Sequence, residues 1–212
     1  MNYFLATLFL IPSTHNLSAP GSVNIPINDP KPLHLRWKAG DKNGYWNPPS
    51  LQLPAAGTYW VCGATPPKVR VLKAQEADAY LKNEGLSVVE QYRKQYKLLT
   101  SPVKMVVSEF AKTMIVVGKP EPITPVDLHL PIEIIVRYPT LLQVNYRGQP
   151  MGDVLVNVNG KPAGRTNGAG QLPIPALTQA VKISATVVRV YPDHSTADWE
   201  VFTATLTLPP LN

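Results

Sequence analysis

The stretch Val154-Leu155-Val156-Asn157-Val158-Asn159-Gly160-Lys161-Pro162-Ala163-Gly164-Arg165-Thr166-Asn167-Gly168-Ala169-Gly170 decides the fold class. Two β-rich runs, 154–158 and 163–166, are each followed by turn chemistry, Asn159-Gly160-Lys161-Pro162 and Asn167-Gly168-Ala169-Gly170. Asn-Gly supplies positive φ at low steric cost, so it reads as a hairpin turn. The pattern continues outward. Residues 132–136 and 141–146 precede it, joined onward by Arg147-Gly148-Gln149-Pro150, and 181–190 and 200–208 follow. Short strands at this spacing, separated by turns, predict a small β-sandwich over 121–212.

The N-terminal part is read the same way. The chain has 23 prolines against 13 glycines, and prolines dispersed along it favour short strands with rigid turns over helices. Strands are expected at 23–27, 51–53, 56–61 and 69–71, with turns at 18–22 and at Asp41-Lys42-Asn43-Gly44. Residues 74–84 then carry helix formers and end at Gly85, a natural C-cap. Ser87 with Glu90 predicts a capping box opening a second helix, on which Val88, Tyr92, Tyr96 and Leu99 share a face. Ser101-Pro102 stops it, a strand follows at 111–117, and Lys119-Pro120-Glu121-Pro122 reads as a linker. The expected architecture is mostly β: two Ig-like or transthyretin-like sandwich domains, 1–120 and 121–212, with a helical hairpin insert at about 74–100.

Several short motifs in order carry a family likeness: Ala79-Tyr80-Leu81-Lys82-Asn83-Glu84-Gly85-Leu86, Ser108-Glu109-Phe110-Ala111-Lys112-Thr113-Met114, Leu130-Pro131-Ile132-Glu133-Ile134 and Tyr146-Arg147-Gly148-Gln149-Pro150. Across 55–208 the chain resembles a bacterial periplasmic family of largely unknown function, described as the substrate-binding component of cobalt and nickel uptake systems (ABC-type Co2+ transport). The resemblance implies an N-terminal β domain with a helical insert and a C-terminal Ig- or transthyretin-like domain. It also implies a periplasmic metal-handling role, a membrane transporter as partner, and a histidine before the last strand. Family members begin their mature chain with a His-containing apolar segment, and Met1-Asn2-Tyr3-Phe4 departs from that.

Nickel or cobalt needs imidazole and carboxylate ligands converging in space. The histidines are His15, His34, His129 and His194, and no two stand at i, i+2 or i, i+4. His194, flanked by Asp193 and Asp198, is the expected metal ligand, with His15 next. The competing reading is a polar loop, where Asp, His and Ser belong anyway. His34 and His129 alternate with leucines and read as outward-facing strand positions.

Catalysis is not expected. The chain has no Gly-x-Ser-x-Gly elbow, no His-Glu-x-x-His and no phosphate-cradling glycine loop. The formal charge of +6 is scattered, densest at Arg93, Lys94 and Lys97, and is not interleaved with aromatics as nucleic-acid binding prefers. The single Cys62, in Tyr59-Trp60-Val61-Cys62, excludes an internal disulfide framework and reads as a small core residue. Tyr45-Trp46, with Trp37 nearby, is the candidate aromatic patch for a sugar or peptide.

Residues 3–11 are apolar but too short to span a bilayer, lack a basic leader and precede Ala19-Pro20, a poor cleavage junction. Residues 1–12 are therefore expected to be folded chain, with any signal peptide upstream of Met1. The two functional expectations are a periplasmic accessory protein handling nickel or cobalt, and a metal-free interaction module binding protein or glycan at the cell surface. At most it would be peripheral to a membrane.

Overall fold

The computed structural model describes residues 21–25, 33–47, 50–53, 55–118, 124–191 and 196–209. The expectations for residues 1–12, His15, the 119–122 linker, Asp193 and His194 fall outside them. In chain order the elements are β1 (Gly21–Asn24), β2 (Leu33–Ala39), β3 (Lys42–Tyr45), β4 (Ser50–Leu53), β5 (Gly57–Ala64) and β6 (Lys68–Leu72). The helices α1 (Ala74–Asn83) and α2 (Ser87–Gln95) come next, then β7 (Val103–Val117), β8 (Ile132–Tyr138), β9 (Leu141–Tyr146) and β10 (Gln149–Pro150). The chain closes with β11 (Leu155–Val158), β12 (Lys161–Arg165), β13 (Gln171–Pro173), β14 (Val181–Val190) and β15 (Trp199–Leu208).

Among the described residues, the strands form a large sheet of order β12-β11-β14-β15-β7-β5-β2-β3 with β6 also on β7, a smaller one around β9, and the β1–β4 pair. Alternating residues of the two main sheets meet in one apolar core. Ile132, Ile134, Leu142 and Val144 come from the small sheet, and Trp60, Phe110, Met114, Ile183, Phe202 and Leu206 from the large one. Burying side chains of this size stabilises by roughly 1.5–3 kcal/mol each, which makes this layer the principal source of stability. The sandwich layering follows from that shared core. The six strand segments expected beyond residue 130 divide between both sheets, rather than closing on themselves.

One sheet also crosses residue 120. β15 pairs with β7 in parallel, from Trp199↔Met105 to Thr207↔Thr113. Parallel neighbours cannot be joined by a hairpin, so the whole segment between them acts as a crossover. β7 itself begins well before the expected strand at 111. Ser108, Glu109 and Lys112 interrupt its apolar pattern, yet all three are buried. Likewise the turn expected at Asn43-Gly44 lies earlier, with Gly40 at φ 56 and Lys42 already paired to Ala39. Gly44 is instead in β3, where the Trp37 indole lies so close that a Cβ would sit 2.8 Å from its Nε1.

The helical hairpin forms where expected, but its caps differ. Gly85 at φ 65 ends α1, with Gly85 N donating to Lys82 O (3.2 Å) and Leu86 N to Leu81 O (2.8 Å). This is the two-bond Schellman arrangement, and Leu81 and Leu86 share the apolar cluster beneath it. Leu86 is therefore already committed as the N-cap of α2, so Ser87 becomes the first helical residue and makes no capping bond. The Glu-to-amide half of a capping box occurs at α1 instead, where Glu76 accepts from Lys73 N at 3.0 Å.

α2 ends by the same device, with Leu98 N bonded to Arg93 O (2.8 Å) and Lys97 in the left-handed position at φ 55. A lysine there carries a Cβ penalty that glycine escapes. Lys97→Gly is expected to raise stability by about 1 kcal/mol. A higher urea midpoint with unchanged m would register it.

Candidate functional site

The hairpin lies on the outer face of the large sheet, where Ala77, Leu81, Leu86 and Val89 pack on Val103, Met105, Trp199 and Val201. Two polar contacts fix it there. Arg165 Nη2 donates to Gly85 O (2.8 Å), and Thr186 Oγ1 donates to Glu84 Oε2 (2.6 Å). Burial pushes the Glu84 carboxyl up, against the opposing hydrogen bond from Thr186.

This docking turns α2 so that the apolar face legible in the sequence points away from the core. Val88, Tyr92 and Tyr96 are 64%, 41% and 55% exposed. Leu99, expected on the same face, is 43% exposed but lies past the end of α2 at Gln95 and the left-handed Lys97, so it is not on the helix. The inward positions are Val89 and Arg93, and Arg93 is buried because its guanidinium caps loose carbonyls after the helix, Ser101 O at 3.2 Å and Leu99 O at 3.4 Å. Tyr92 and Tyr96 lie 4.5 Å apart by ring centroids, and Tyr92 meets the buried Trp199 edge-on at 5.3 Å. Val190, 54% exposed, pairs across the strands with Trp199 and extends the surface.

The other face of the same sheet end carries a cleft. Arg189 pairs across from Glu200, next to the Val190–Trp199 pair but on the opposite face. Arg189 Nη1 donates to Tyr146 Oη (3.2 Å), and the guanidinium groups of Arg189 and Arg147 both lie over the Tyr146 ring, at 5.5 and 5.4 Å. Tyr146 in turn meets Phe202 edge-on at 5.4 Å. Beside this stack lies an open cleft of about 450 Å3, lined by His129, Leu130, Pro131, Arg147, Gly148, Glu200 and Phe202.

Behind the cleft runs a buried ionic network. Lys112 Nζ pairs with Glu133 Oε1, both almost fully enclosed, and lies 4.7 Å from the centroid of the Trp60 ring. Burial pushes the Lys112 ammonium down and the Glu133 carboxyl up, while their mutual attraction opposes both shifts. The pair grips segment 126–130. Lys112 also donates to Val126 O, Glu133 accepts from Leu128 N (2.9 Å) and Leu130 N (3.4 Å), and Arg36 donates to Leu128 O (3.2 Å). His129 is thereby held outward at φ 54, 81% exposed, with its Nδ1 3.3 Å from Asp127 Oδ1. It faces solvent as its alternation with leucines predicts, but from a loop rather than a strand.

Of the expected metal ligands, Asp198 is the one described. Its carboxylate accepts from Lys104 N (3.1 Å) and its own amide donates to Lys104 O (2.9 Å), which clasps the start of β15 to β7. His15, Asp193 and His194 lie outside the described residues, among which no three His, Cys, Asp or Glu side chains gather as a metal site. Of the expected aromatic patch, Tyr45 is 84% exposed, whereas Trp46 is buried and Trp37 packs on Tyr59 with centroids 5.6 Å apart. Tyr45 and its neighbours belong to strand β3, so Trp46 follows the pleat into the core rather than capping a turn. Cys62 is fully buried, as expected, and burial pushes its thiol up, away from the reactive thiolate. No helix among the described residues is long and apolar enough to cross a membrane.

Fold and site together define a mostly-β sandwich protein with an aromatic helical face and an open cleft at one end of its large sheet. No family model, curated protein or solved structure matches the chain.

Proposed function

We propose that this protein is a non-catalytic, extracytoplasmic interaction module of Ig-like or transthyretin-like type, docking a protein partner through the exposed face of α2. The observation that carries the reading is the outward stripe of Val88, Tyr92 and Tyr96, anchored on Trp199. An apolar helix face left in solvent is characteristic of a recognition surface, and tyrosines there supply large contact area at small entropic cost. A photo-cross-linking residue at position 88, in the cells that make the protein, is expected to give a discrete protein adduct. Tyr92→Ser with Tyr96→Ser should abolish the adduct while leaving the fold intact. No adduct, or one indifferent to the two serines, contradicts the proposal.

A second reading, nickel or cobalt delivery to a membrane transporter, is favoured by Asp198. It is exposed and rigidly held at the foot of the segment that contains Asp193 and His194. Metal at a hundred times its dissociation constant stabilises a protein by about 2.7 kcal/mol. An unfolding shift of that size with Ni2+ or Co2+, lost in His194→Ala, is the result this reading requires. The absence of any shift removes it.

A further inference from the structure

The turn Tyr146-Arg147-Gly148-Gln149 joins β9 to β10 with positive φ at both central residues, 50 for Arg147 and 77 for Gly148. The same geometry recurs between β11 and β12, where the central pair is Asn159-Gly160 at φ 51 and 75. Turns of this type favour asparagine, aspartate or glycine at the first central position, because a side chain there crowds its own backbone. One hairpin obeys the rule and the other spends the position on an arginine. His129 is likewise held left-handed, at φ 54, as are Lys97, Asp153 and Asn159 elsewhere, and Arg147 and His129 line the same cleft. Strained backbone that gathers around one concavity points to a function for the side chains it presents.

Those side chains have consistent chemistry. Arg147 brings a permanent cation to the cleft and His129 adds a ring nitrogen on the opposing loop, while Arg189, outside the lining, shares the Tyr146 ring with Arg147. Glu200 also lines the cleft, and its carboxylate opposes an anion there. The floor is apolar, made by Leu130, Pro131 and Phe202. The cleft, about 450 Å3 and open to solvent, has room for a small organic molecule.

We infer that this cleft binds a small organic carboxylate, with Arg147 and His129 taking the carboxylate and Phe202, Leu130 and Pro131 covering its apolar body. The site is independent of the hairpin face and does not rest on the reading given for it. The Lys112–Glu133 network acts as a positioning device by holding segment 126–130, and with it His129, in place.

Titration of the full chain with benzoate, phenylacetate and hexanoate, followed by amide NMR shifts, tests the inference. Saturable shifts are expected at residues 129, 130, 147, 148 and 200–202, with benzyl alcohol and inorganic phosphate each weaker by roughly tenfold or more. Arg147→Asn should weaken carboxylate binding by roughly tenfold while melting at or above the parent temperature, because asparagine suits the turn better. A merely structural arginine gives a different pattern, with unchanged binding. Glu200→Gln should tighten carboxylate binding. The inference is overturned if no carboxylate shifts the cleft amides, if Arg147→Asn binds as the parent does, if Glu200→Gln binds more weakly, or if phosphate competes equally.

Discussion

Lys112→Met is expected to lower the unfolding free energy by about 3–5 kcal/mol at neutral pH, because it breaks a buried ion pair from one side. The methionine fills the aliphatic volume of the lysine, so the loss is chiefly electrostatic. It leaves the Glu133 carboxylate, only 1% exposed, without its counter-ion. Adding Glu133→Gln should recover most of the loss, because the amide oxygen still accepts from Leu128 N and no buried charge remains. The pH dependence fixes the cause. Burial raises the folded-state Glu133 carboxyl above its unfolded value, and removing Lys112 takes away the attraction that opposes this rise. A group whose folded form holds its proton more tightly favours folding at low pH and loses that contribution as pH rises. The Lys112→Met deficit should therefore shrink as pH falls, and shrink much less in the double variant. Urea unfolding at several pH values measures both.

The second large effect falls on Gly85, whose substitution by alanine is expected to cost about 3 kcal/mol, the sum of two terms. Its φ of 65 is left-handed, which costs a side chain about 1–2 kcal/mol. A Cβ would also lie 2.7 Å from Leu155 Cβ and Cδ2 and 3.1 Å from Arg165 Nη2, and overpacking of this kind costs about 1–3 kcal/mol. Leu155 belongs to a strand and cannot swing away freely, so the hairpin must lift. That lift would break the bond from Arg165 to Gly85 O and loosen the contact of Glu84 with Thr186. Faster hydrogen exchange in α1 and α2 than in β9 or β14 is the expected signature, beyond the fall in global stability. Uniform acceleration across all of these would instead mean that hairpin and sheet open together.

Gly85 also marks what the sequence makes legible. Its place as a helix terminator is local chemistry, and so are the turns around Asn159-Gly160, which is why strands at 141–146 and 181–190 form with the bounds the pattern predicts. Pairing between distant segments leaves no such trace. Nothing local in β7 or β15 says that they run parallel, and the buried Ser108, Glu109 and Lys112 disguise half of β7 as a polar stretch. The stripe of Val88, Tyr92 and Tyr96 is plain in the sequence, but its direction is decided by Leu86, Val89 and Arg93, which the tertiary contacts of the hairpin draw inward. The cleft is less legible still. Arg147 is visible only as an ill-suited residue beside a turn glycine, and His129 gains its position through Glu133, four residues on, and through the distant Lys112 and Arg36.

The central claim is that the α2 face is a recognition surface, and hydroxyl-radical footprinting of tyrosines tests it most directly. In the purified protein, Tyr92 and Tyr96 should label readily alongside Tyr138 (67% exposed), while Tyr59 (3%) stays protected. In the cells that make the protein, labelling of Tyr92 and Tyr96 relative to Tyr138 should fall several-fold as the partner covers them. An unchanged ratio between purified protein and cells would contradict the claim.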